Sequence, residues 1–188
     1  MILPIYAFGD PVLKKIAEPI SKDYPNLVEL IDNMFETMHN ANGLGLAAPQ
    51  VGLSIRLFLV DGMPYAKEDN DDDLKDFKKV FINAHIIEQK GEQWMYNEGC
   101  LSIPGIREDI YREPSIKIHY LDENFNEFTH DFIGIRARII QHEYDHIEGT
   151  LFTDRISFLR KRLLKNKLMD ISKGVSKQEY PMKFPIKR

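Results

Sequence analysis

The sequence predicts an α+β fold, mixed helix and strand with the strands pairing antiparallel, and three observations carry that prediction. Residues 26 to 40 space apolar side chains at helical intervals. Several later stretches are short, β-branched and bounded by turn residues, as strands are. Residues 139 to 152, IIQHEYDHIEGTLF, return to the helical period. At 188 residues, 43% hydrophobic and 11% aromatic, the chain can bury a sizeable core, and its size suits one domain spanning 1–188.

Taken in order, NLVELIDNMFETMHN places Leu27, Leu30, Ile31, Met34, Phe35 and Met38 on one helical face, and Asn42-Gly43 follows as a stop. The next stretch, NGLGLAAPQVG at 42–52, reads as a glycine-rich bend. It lacks the third Gly, the Lys and the Ser/Thr of a phosphate loop. SIRLFLVDG and KVFINAHIIEQ read as strands. Between them the acidic stretch 61–79, with KEDNDDDLKD at its centre, reads as a solvated loop without the Gly and final Glu of a calcium-binding loop. EPSIKIHYLDENFNEFTHDF alternates through Ile116, Ile118 and Tyr120 and turns at Asp122 to Asn124, which predicts a hairpin. Ile135, Ile139, His142 and His146 then fall at i, i+4, i+7 and i+11, one stripe of a helix stopping at Gly149.

Charge is lopsided. From Arg155 to Arg188 eleven Lys and Arg face two acids, a net of +9, which leaves −13 of the total −4 for residues 1–154. The basic tail begins at about residue 160. Leu159, Leu163, Leu164 and Leu168 are its apolar side and should pack on the body, leaving Arg160, Lys161, Arg162, Lys165 and Lys167 outward. The N-terminal segment lacks a basic and long apolar leader, and no stretch reaches bilayer-spanning length, so a cytoplasmic protein with no membrane partner is expected. A single cysteine excludes an intramolecular disulfide.

Chemistry concentrates at three places. His142 and His146, four apart on a helix, can grip one metal ion, with Glu143 beside it as a base. The competing reading is a pair of core histidines with Glu143 in a surface ion pair. The pattern continues as a metzincin would up to Gly149, but Phe152 stands where the third histidine is needed and cannot ligate. A zincin completed by Asp154 or Asp170 stays open, as does a purely structural site. Cys100, in NEGCLSIPG, offers a thiolate as third ligand, and with no fourth candidate evident an open coordination position is favoured. Gln50, after the glycine-rich bend, can point its NH₂ at a developing oxyanion, and exposed backbone around Leu44 and Gly45 can pair with an extended peptide.

GLGLAAPQ, EGCLS and QHEYDH, in that order, together with GDPVLKKIAEPI near the start, resemble the peptide deformylases over residues 4 to about 160. The resemblance implies antiparallel sheets wrapped around a central helix carrying the HExxH motif. It implies Cys100, His142 and His146 as metal ligands with a water in the fourth position, Glu143 as the base, and Gln50 with the Leu101 backbone N–H as oxyanion donors. Substrate contacts are implied for the backbone of Leu44, Gly45 and Gly99, with Tyr96, Ile135, Ile139 and the stem of Arg107 walling a methionine pocket. Glu98 and Arg112 are expected to pair and brace the cysteine loop. The implied substrate is the N-formyl-methionyl end of nascent chains, and the implied ion is Fe²⁺ in the cell, with Zn²⁺, Ni²⁺ or Co²⁺ possible as purified. The basic tail suits ribosome docking through RNA phosphate, without sequence-specific nucleic-acid binding. Two segments depart from the family pattern: the acidic stretch 61–79, which looks inserted, and the tail beyond about Lys165.

Overall fold

The computed structural model of the chain describes residues 1–69, 74–175 and 178–185. Strand β1 (Ile5–Tyr6) and a 3₁₀ turn at Pro11–Lys14 lead to helix α1 (Leu27–Asn40), strand β2 (Gly45–Ala47), a 3₁₀ turn at Ala48–Val51 and strand β3 (Leu57–Asp61). Helix α2 (Met63–Asp69) and strand β4 (Lys78–Lys90) follow, then a hairpin of β5 (Trp94–Cys100) and β6 (Ile103–Arg112). Strands β7 (Ser115–Leu121) and β8 (Glu127–Ile133) run directly into helix α3 (Gly134–Ile147). Helix α4 (Phe158–Ser172) and strand β9 (Met182–Lys183) complete the order.

Five strands form one antiparallel sheet in the order β2-β3-β4-β7-β8. Because side chains alternate between faces along a strand, one strand can feed two cores. β3 does so: Phe58 and Val60 join the cluster under α3, while Leu57 and Leu59 join the cluster under α1. Burial of each such Phe or Leu contributes about 1.5–3 kcal/mol, so this two-sided strand holds both helices to one sheet. Phe58 stacks on Phe81 of β4 at 4.7 Å between ring centres. Ile116, Ile118 and Tyr120 of β7 point the same way, as the period-two pattern requires.

α3 is the central helix. Ala137, Ile139, Ile140 and Ile147 pack on the sheet, and the helix ends at Gly149, whose φ of +68° is a left-handed conformation that glycine accepts at little cost. A third apolar cluster lies under the hairpin and α4, built on Ile103, Ile110, Phe152, Leu164, Leu168 and Ile171.

Three expectations need correction. Met63–Asp69, inside the stretch read as a solvated loop, is helical, and Ala66, Leu74 and Phe77 enter the core; residues 70–73 lie outside the described residues. Leu159 and Leu163 do not pack: they are 65% and 62% exposed, and Leu164, Leu168 and Ile171 carry the buried face of α4. The rotation follows from the third cluster, which meets α4 along the stripe at i, i+4 and i+7 from Leu164. Finally, β1 and β9 pair parallel, whereas the other pairings between strands are antiparallel.

Candidate metal centre

The three candidate ligands arrive on two kinds of backbone. His142 and His146 project from α3 one turn apart, their rings 5.2 Å between centres. Cys100 ends β5 at a register shift after Gly99, just before the tight Leu101-Ser102 turn into β6. One ligand atom from each of Cys100, His142 and His146 lies within 4.8 Å of the others, close enough to share one ion. Among the described residues no other His, Cys, Asp or Glu joins that group. Asp154 instead accepts from the Leu151 N–H and pairs with Lys14.

The donors are oriented for ligation. His142 gives its Nδ1–H to Glu98 Oε2 at 2.9 Å, which leaves its Nε2 to face inward, and His146 Nε2 stands 3.3 Å from Cys100 Sγ. Burial, with the charges of His142 and Arg112, holds His146 well below its ordinary pKa, so it is neutral and able to ligate. Burial alone would lower His142 too, but hydrogen bonds to Cys100 and Glu98 outweigh it and raise that pKa well above the ordinary value. A soft thiolate with two imidazoles is a donor set that suits first-row divalent ions.

Glu98 is the hub of the supporting shell. Arg112 binds it through Nε at 2.8 Å and Nη2 at 3.0 Å, and Arg138 Nη1 adds a third bond at 2.9 Å. Burial alone would push the Glu98 carboxyl up, yet His142 and Arg112 hold it well below the usual carboxylate range. Arg112 also reaches Asp145 at 2.8 Å, and Asp145 in turn holds Arg155. The expected Glu98–Arg112 pair is therefore present, inside a larger network joining the hairpin to α3. Arg138 is 2% exposed, its guanidinium 4.5 Å over the Trp94 ring.

Glu143 is buried and its Oε2 has no hydrogen-bond partner; burial pushes its pKa up to about 7. Gly45 makes room for it. A Cβ on residue 45 would stand 2.5 Å from Glu143 Oε1. Gln50 is fixed by the Ala47 N–H donating to its Oε1 at 2.9 Å, so its NH₂ faces Cys100 Sγ at 3.5 Å and Ser102 Oγ at 3.3 Å.

These groups floor a cavity of about 600 Å³. Leu44, Gly45, Tyr96, Gly99, Leu101 and Arg107 line it, and so do Ile135 and Ile139 from α3. Arg107 folds back so that Nε and Nη2 donate to Asn97, which leaves its stem toward the cavity wall. Sequence reasoning missed Ser102, Asp145, Tyr65, Gln178 and Tyr180. Ser102, closing EGCLS, and Asp145, inside QHEYDH, carried a signal by lying within those segments; Tyr65, Gln178 and Tyr180 come from stretches without a motif and carried none.

The sequence profile of polypeptide deformylases matches residues 2–162. The chain belongs to the polypeptide deformylase family. The peptide deformylase of Christiangramia forsetii is 58% identical over 190 residues, covering 98% of this chain and 97% of that protein. That of Flavobacterium psychrophilum is 55% identical over the full length of both. Among solved structures, the Legionella pneumophila peptide deformylase superposes with a TM-score of 0.78 at 35% identity, covering 90% of this chain and 95% of that one. A Plasmodium falciparum peptide deformylase in complex with an inhibitor gives 0.76 at 33% identity over 89% and 97%. The three deformylase segments of the sequence, around Gln50, Cys100 and His142, are the ones that converge on this cavity.

Proposed function

We infer that this chain hydrolyses the N-terminal formyl group of formyl-methionine on newly synthesised polypeptides, releasing formate and a free amine. The observation that carries this reading is the Cys100, His142 and His146 cluster, two of whose members, Cys100 and His142, line the cavity together with Glu143. These three residues would hold one divalent ion, Fe²⁺ in the cell, with Zn²⁺, Ni²⁺ or Co²⁺ acceptable to the same donors. When bound, such an ion supplies Lewis acidity that makes water a nucleophile near neutral pH.

The remaining chemistry belongs to side chains and backbone. Glu143, poised near neutrality by burial, takes the proton of the attacking water and delivers one to the departing amine. The Gln50 NH₂ and the Leu101 N–H stabilise the oxyanion on the formyl carbon, each such donor contributing on the order of 3 kcal/mol. Glu98 fixes the tautomer of His142 through Nδ1. Backbone of Leu44, Gly45 and Gly99 binds the extended peptide, and Tyr96, Ile135, Ile139 and the Arg107 stem enclose the methionine side chain.

Nascent chains place the reaction in the cytoplasm. No helix among the described residues is long and apolar enough to cross a membrane. Docking on ribosomal RNA phosphate through α4 fits the local charge, with Arg162, Lys165 and Lys167 exposed for it. Arg160 is already committed to Glu108, at 2.9 Å through Nε.

The deciding assay incubates anaerobically purified protein with formyl-Met-Ala-Ser and its unformylated counterpart, reading formate and new amines. Formate with one amine per turnover is expected. Cleavage of internal bonds without formate would identify a peptidase, and no turnover by a fully metallated sample would identify a structural site.

A further inference from the structure

The turn that carries Leu101 is held from behind by the two ends of the described chain. Tyr180, just before β9, donates its phenol O–H to the Leu101 carbonyl at 2.8 Å. The Phe8 N–H, just after β1, donates to the next carbonyl, Ser102, at 2.8 Å. The two strands are bonded to each other: Ile5 N–H donates to Pro181 O and Ala7 N–H to Lys183 O, both at 2.9 Å. Ser102 Oγ meets the Gln50 amide on the other side. Leu101, on the cavity wall, and Ser102 therefore have their carbonyls held by residues flanking a short parallel sheet.

The segment leading into β9 also faces the cavity. Tyr180 and Gln178 line the cavity wall, and Gln178 Oε1 is buried without a partner among the described residues. Tyr180 lies beyond residue 162, where the family match ends. Nothing in the ligand set needs it, since the Cys100, His142 and His146 cluster is complete without any atom of the tail.

We propose that the β1–β9 pair is a clamp on the oxyanion turn and that Tyr180 is its positioning residue, fixing Leu101 so that its N–H meets the developing charge. The proposal rests on the deformylase reading. The phenol acts through backbone: it holds the Leu101-Ser102 peptide plane, restricts ψ at Leu101, and so limits the wobble of the N–H one peptide earlier. A donor aimed at a transition state is sensitive to displacements of well under 1 Å, whereas ground-state binding of the peptide is much less so.

Tyr180→Phe removes only the hydroxyl. On formyl-Met-Ala-Ser, kcat should fall roughly tenfold with KM within about twofold of wild type, and bound metal and thermal midpoint should be retained. In a ¹⁵N-resolved spectrum the Leu101 amide should shift and exchange faster with solvent. Tyr6→Phe serves as the comparison, since it removes a phenol that meets Lys183 Nζ at 2.8 Å on the outer side of the same two strands. It should leave kcat and the Leu101 amide unchanged. Unchanged kcat in Tyr180→Phe, or an equal loss in both variants, would overturn the proposal, the latter by showing a general loosening of the tail. Failure of wild type to release formate would overturn the functional reading instead, and the Leu101 amide comparison would still test the clamp.

Discussion

Glu143 lies against Gly45 at a place where no Cβ would fit, and each can be changed without touching a ligand. Glu143→Gln should keep its metal and lose turnover by roughly 10²-fold or more, because the amide cannot accept the proton of water. Metal analysis beside the formate assay checks both halves, and wild-type turnover would remove Glu143 from the chemistry. Gly45→Ala introduces a Cβ 2.5 Å from the Glu143 carboxylate oxygen, and the flexible carboxylate must give way before the backbone does. Expected are a normal fold, normal metal content and a kcat lowered by about tenfold or more. Glu98 supplies a pH dependence. Its folded pKa lies below the unfolded value of about 4.3, so its contribution to stability is full above that pH and is lost as pH falls toward the folded value. In metal-free protein, the thermal midpoints of wild type and Glu98→Gln should differ most near pH 6 and converge on acidification; a gap independent of pH would contradict the ionised state.

The hairpin β5–β6 and helix α3 are separate elements joined by Arg112, which spans Glu98 on one and Asp145 on the other. Arg112→Met removes the shared cation and leaves Glu98 to Arg138 and His142 and Asp145 to Arg155, at a cost of up to about 3–5 kcal/mol, and should weaken metal binding 10- to 100-fold through His142. Denaturant unfolding and metal titration measure the two effects. The same hairpin shows why only part of the fold was legible in the sequence. Strands β3, β4 and β7 and helices α1 and α3 bury apolar side chains at their own periods, so Leu57 to Val60 or Ile116 to Tyr120 announce themselves. In β6 the buried positions 106, 108, 110 and 112 hold Ile, Glu, Ile and Arg, and charges at half of them hide the alternation. β5 has Glu98 as its one fully buried side chain, the others being exposed or half-buried, and β2 is three residues beginning with glycine. The candidate site was more legible than its scaffold, since Gln50, Cys100, His142 and Glu143 sit in short recognisable segments. Ser102 closes one of those segments, whereas Tyr180, which bonds the turn from behind, comes from a position that local pattern cannot mark.

At the scale of the molecule, an acidic body carries one basic helix. Charge reversal at Arg162, Lys165 and Lys167 should weaken co-sedimentation with ribosomes, more at low salt than at high, and leave turnover of a formylated tripeptide intact. Unchanged sedimentation at low salt would sink the docking idea and leave the enzyme assignment standing. The placement of the ligands has a second consequence at this scale. Cys100 belongs to a hairpin and the histidines to a helix 42 residues later, so an ion shared by them is a cross-link closing a long loop, comparable to a disulfide in what it denies the unfolded chain. Free ion at a thousand times its Kd would add about 4.1 kcal/mol to folding. Chelation should therefore lower the thermal midpoint as well as abolish turnover. Air, by oxidising the Cys100 sulfur, would then open the fastening from the hairpin side, so that an enzyme losing activity would also be a protein losing its hold on its own shape.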